Sequence, residues 1–73
     1  MKKLTLKEVV EMTSSGSLVR IVERQGDVIF TTECICHKVP WNLVKRGLLV
    51  DSFDVVMNEY NMAVLVIRVS EGK

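Results

Sequence analysis

Only two cysteines, one proline, four glycines and one histidine occur among the 73 residues, and each scarcity closes off a class of protein. Cys34 and Cys36 stand too close together to staple distant segments, so a disulfide scaffold is excluded and a reducing, cytoplasmic setting is expected. No glycine-rich loop follows a strand and opens a helix, which removes the phosphate-cradling motifs. With His37 as the sole histidine, one residue after Cys36, a thiol–imidazole dyad is poorly placed, and serine, threonine and lysine lack any catalytic flanking signature. The chain is therefore expected not to be an enzyme. No apolar stretch approaches the roughly 18 residues of a membrane span, so no membrane contact is expected. Charge of one sign is also missing: ten basic against nine acidic side chains leave +1, too little for a whole-molecule field that draws in nucleic acid or anionic lipid.

What is present is apolar. Hydrophobic residues make up 48% and charged residues 26%, the mixture of a folded domain, and the length allows one domain, residues 1–73. A core of this size leaves about 3–5 kcal/mol of net stability. Leu4-Thr5-Leu6-Lys7-Glu8-Val9 opens a short amphipathic helix, with Thr5 as N-cap, Glu8 completing a capping box and Leu4 stapling onto Val9. Thr13-Ser14-Ser15-Gly16 stops it. Residues 17–24 and 27–36 read as a hairpin turning on Gln25-Gly26, which pairs Arg24 with Asp27, Val22 with Ile29 and Ile21 with Phe30. Val19, Ile21, Val28 and Phe30 form its core face. Pro40 starts a second helix that Gly47 ends, with Trp41 and Val44 on its buried stripe. Residues 50–57 and 62–69 form a second hairpin around Asn58-Glu59-Tyr60-Asn61, pairing Asp51 with Arg68, Phe53 with Val66 and Val55 with Val64.

The expected fold is α+β, in the order α-β-β-α-β-β: a small antiparallel sheet of two hairpins with two short helices on one face. The run Met62-Ala63-Val64-Leu65-Val66-Ile67 is apolar on both strand faces and must be covered on both. Two short helices do not suffice for that, and an uncovered aliphatic face is an interface, most simply with a second copy. The alternative is one helix on each face and a self-sufficient monomer. Candidate contact residues are Val22 and Ile29, Trp41, Tyr60, and the set Val56, Leu65 and Ile67.

Two further chemistries are weighed against their plain readings. Cys34-Ile35-Cys36-His37 gathers metal-type ligands, but three are one short of a structural zinc site. Two buried thiols beside a surface histidine, with no cofactor, is the expected state. Lys38, Lys45 and Arg46 bracket the second helix and are the candidates for nucleic-acid contact, a function that would compete with protein binding. Acidic residues lie beside each basic cluster, which makes a solvated surface the simpler reading.

The residues also carry a resemblance. The Leu4–Val9 helix start, Val19-Arg20-Ile21, the Gly26 hairpin, Phe30, the Val39-Pro40 helix start with Leu43, and the closing Leu65-Val66-Ile67 strand together resemble small uncharacterised proteins of phages and prophages of Gram-positive bacteria. The likeness spans nearly the whole chain but rests on spacing, and Cys34-Ile35-Cys36-His37 and Trp41 stand where those proteins carry a short polar segment. It implies an accessory protein of a mobile element that binds a host protein, and it transfers no site residue.

Overall fold

Thr5 caps the first helix from both directions: its hydroxyl accepts from the Glu8 amide at 3.2 Å, and the Glu8 carboxylate accepts from the Thr5 amide at 3.0 Å. That box starts α1 (Leu6–Met12), and the computed structural model, which describes residues 3–71, continues through β1 (Leu18–Gln25), β2 (Val28–Ile35), one 3-10 turn at Cys36–Lys38, α2 (Trp41–Val44), β3 (Leu49–Met57) and β4 (Ala63–Ser70). The second helix is shorter than its Pro40-to-Gly47 signals suggest. Pro40 serves as its N-cap, and Gly47 takes a positive φ of 71° that sends the chain into β3.

The four strands form one sheet in the order β2-β1-β4-β3. Both hairpins are antiparallel, but β1 and β4 meet in the middle as parallel neighbours, which corrects the all-antiparallel expectation. Burial accounts for the placement. β1 and β4 carry the residues most in need of cover, including Val19, Ile21, Val64 and Ile67, and only the central positions give them neighbours on both sides.

Each turn sets the register of its hairpin. Gly26, at φ 61°, occupies the first central position of a two-residue Gly26-Asp27 loop closed by Gln25 and Val28. Val22 therefore lies opposite Thr31, and Arg24 opposite Ile29, two positions from the expected pairing. A two-residue slip keeps every side chain on its face, so Val19, Ile21, Val28 and Phe30 do share one side, but only Val19 and Ile21 are core; Val28 and Phe30, on the outer strand beyond the cover of the helices, stay about half exposed. In the second hairpin Asn61 adopts φ 60° and its amide donates to the Asn58 carbonyl at 3.0 Å, making a three-residue loop of Glu59, Tyr60 and Asn61. That single-residue difference exchanges faces. Phe53 pairs with Ile67 and Val55 with Leu65, and a bulge at Asp51 puts Ser52, not Asp51, opposite Arg68.

Both helices lie over one face. Leu6 and Val9 of α1 pack with Val19, Ile21, Leu48, Val50, Ile67 and Val69, and Leu43 of α2 packs against the same cluster. Burying a side chain such as Leu6, Ile21, Leu48 or Ile67 contributes about 1.5–3 kcal/mol, so this cluster holds the fold. The helix-free face has its own buried centre at Val64 and Val66, flanked in the sheet by half-buried Leu18, Arg20 and Val56.

Candidate interface

The two outer strands are where the apolar surface emerges. On β2 the consecutive residues Val28, Ile29 and Phe30 are 54%, 61% and 51% exposed, so the strand end is apolar on both faces. On β3, Phe53, Val55 and Met57 are exposed on the helix side, next to Ala63 and half-buried Leu65. Apolar surface of this kind is where small proteins commonly make contacts.

The backbone of each edge differs more than its side chains. The Cys36 amide donates to the Ser17 carbonyl at 2.8 Å, which fixes the hydrogen-bonding parity of the first hairpin. The even-numbered residues of β2 bond to β1, and the amides and carbonyls of Ile29, Thr31, Glu33 and Ile35 point away from the sheet. Among the described residues nothing bonds to them. The β3 edge is occupied or interrupted over much of its length. Leu6 N–H donates to Leu48 O and Val50 N–H to Leu4 O, both at 2.8 Å, so residues 4–6 cover its first part. The Asp51 bulge follows, with Asp51 paired to Lys3 at 3.0 Å. Beyond it, the outward amide of Val55 is capped by the neighbouring Asp54 carboxylate at 2.9 Å.

Beneath β2 lies a hollow of about 250 Å3 bordered by Glu23, Phe30, Thr32, Leu43 and Arg46. Glu23 stands on the buried alternation after Val19 and Ile21 and is only 4% exposed. Arg46 holds it with two bonds of 2.8 and 2.6 Å, Gln25 donates a third at 2.8 Å, and Arg46 also reaches Glu71 at 3.3 Å. The Arg46 hydrogen bond holds the Glu23 carboxyl below its ordinary pKa, against the opposing pull of burial. All three nucleic-acid candidates are exposed, but Arg46 is engaged by Glu23 and Glu71, whereas Lys38 and Lys45 have no carboxylate partner among the described residues.

The other sequence candidates are dispersed. Val22 and Ile29 share the helix-free face without lying opposite each other. Trp41 is 64% exposed with Lys7 stacked 5.9 Å from its ring, so it leaves the buried stripe to Val44. Tyr60 sits exposed at its turn, where its amide donates to Asn58 Oδ1. Val56, Leu65 and Ile67 do not form one surface: Val56 is on the helix-free side, Leu65 leans on the core from the helix side, and Ile67 is fully buried within it.

Cys34, Cys36 and His37 separate likewise. Cys36 leaves the strand, is buried, and directs its thiol at the Val10 carbonyl at 3.5 Å, while His37 Nδ1 donates to the Ser15 carbonyl at 2.9 Å. Burial pushes both thiols up, and among the described residues no three metal-type ligands converge. The segment latches the loop after α1 to the end of β2. Among the described residues, no helix is long and apolar enough to cross a membrane. No family model, curated protein or solved structure matches the chain. The feature that sequence reasoning missed is the Glu23–Arg46 pair; a carboxylate on an apolar alternation was the available signal, since a buried anion requires a cation.

Proposed function

We propose that the chain is a non-enzymatic accessory module that works through protein contacts, and that it first assembles as a homodimer. The observation supporting this reading is the run Val28, Ile29 and Phe30, half exposed or more on both faces of an edge strand. Aliphatic and aromatic groups placed there leave half or more of their surface in water in the monomer and gain most from a partner. A host protein is the second partner that a mobile-element setting would supply, and Trp41 and Tyr60, exposed away from the core, are the side chains to offer it.

The test is the solution mass by light scattering over a dilution series. The reading requires twice the 8.3 kDa of one chain at the concentrated end. A mass of one chain throughout would remove it.

A further inference from the structure

From the contrast between the two edges we infer that the second copy docks on β2, not β3, by antiparallel pairing of β2 with β2 about a two-fold axis at Thr32. The inference rests on the self-association proposed above and adds its site and register. The outward groups of Ile29, Thr31, Glu33 and Ile35 restrict the choices, because a two-fold pairing must match outward residues with outward residues. Centring on Thr32 sets Ile29 against the second copy's Ile35 and Thr31 against its Glu33, so every one of these groups gains a backbone partner. On the helix side Phe30 meets Cys34, and Thr32 meets Thr32.

Other centres do worse for stated reasons. An axis at Glu33 stacks two carboxylates directly opposite each other. One at Thr31 sets Ile29 against Glu33 and leaves Ile35 beyond the pairing. One at Phe30 brings Glu33 against the turn residue Asp27. About Thr32 the two Glu33 carboxylates meet only diagonally, and each is already held by its own Arg20 at 2.6 Å.

The axis stands perpendicular to the sheet, so both sets of helices lie on the same side of one continuous sheet. The two hollows under Phe30 and Thr32 then face each other across the junction. On β3 the same pairing would have to displace Asp54 from the Val55 amide, and it would reach only the stretch from Phe53 to Met57.

Cysteine cross-linking tests the register, with the buried native Cys36 kept in every variant. Thr32→Cys, made with Cys34→Ser, places two thiols at a non-hydrogen-bonded antiparallel site, where Cα atoms lie about 4.5 Å apart, within disulfide reach. Mild oxidation should convert most of the chain to a covalent dimer of twice 8.3 kDa, while Val55→Cys on β3, in the same background, stays single. Phe30→Cys with native Cys34 retained is the second variant and should cross-link between copies. A dimeric mass with linking through Val55 and none through Thr32 or Phe30 would overturn the edge assignment and leave self-association standing. A single-chain mass at every concentration would overturn both.

Discussion

β2 and β3 are both outer strands of one sheet, both expose apolar side chains, and they treat their backbones in opposite ways. The β3 edge is covered by residues 4–6, broken by the Asp51 bulge and capped by Asp54 at the Val55 amide. These are the devices by which sheet proteins avoid edge-to-edge pairing. The β2 edge carries none of them across Ile29, Thr31, Glu33 and Ile35. Exposed hydrophobic side chains alone do not separate the two strands; the disposition of the amides and carbonyls does.

What lies beneath the strands differs too, and there the largest effect is expected. The β3 side is underpinned by apolar contacts among Leu6, Leu48, Val50 and Val69, the β2 side by the Glu23–Arg46 pair. Arg46→Met strands a buried carboxylate and should be the most destabilising of the changes considered, tempered because Arg46 itself is open to water. In a domain with about 3–5 kcal/mol of net stability this should lower the urea midpoint markedly. Adding Glu23→Leu to that variant should recover much of the loss; no recovery would mean that Arg46 acts through something other than Glu23.

Removing the guard from β3 should make the edges alike. Asp54→Ala frees the Val55 amide, and with both edges open the mass should climb beyond the dimer with concentration. An unchanged mass would show that the bulge and residues 4–6 protect β3 without Asp54.

The pH dependence is smaller and has a definite sign. Because Glu23 is held below its ordinary pKa in the folded chain, the pair's contribution is present above the ordinary carboxylate range and is lost as pH falls through the lowered value. The urea midpoint should therefore drop on acidification, and Glu23→Gln should drop less. Smallest is the thiol effect. With both pKa values raised by burial, Cys36 should resist alkylation at neutral pH until the chain is unfolded, and Cys34 should react slowly.

Much of the architecture was legible in the residues. Thr5 and Glu8 announced α1, Gly26 and Asn58-Glu59-Tyr60-Asn61 announced the hairpins, and the alternation of Val19 and Ile21 named the core face of β1. What was hidden is non-local or hangs on one dihedral. Asn61 at φ 60° shortens a loop by one residue and so exchanges the faces of β3 relative to β4, which is why Val56 parted from Leu65 and Ile67. The parallel contact of β1 with β4 joins segments more than forty residues apart and has no local signature. For the same reason Arg46 read as a surface cation, although Glu23 was already waiting on a buried alternation.

The most direct test replaces one outward amide on each edge and weighs the products. Proline is tolerated on an edge strand where the lost N–H lies outside the ladder, and Val55→Pro forfeits only the local bond to Asp54, so Thr31→Pro and Val55→Pro should both fold by circular dichroism. Light scattering should then find the wild type and Val55→Pro at twice 8.3 kDa and Thr31→Pro at a single chain. A dimeric Thr31→Pro beside a monomeric Val55→Pro would contradict the account and transfer the interface to β3.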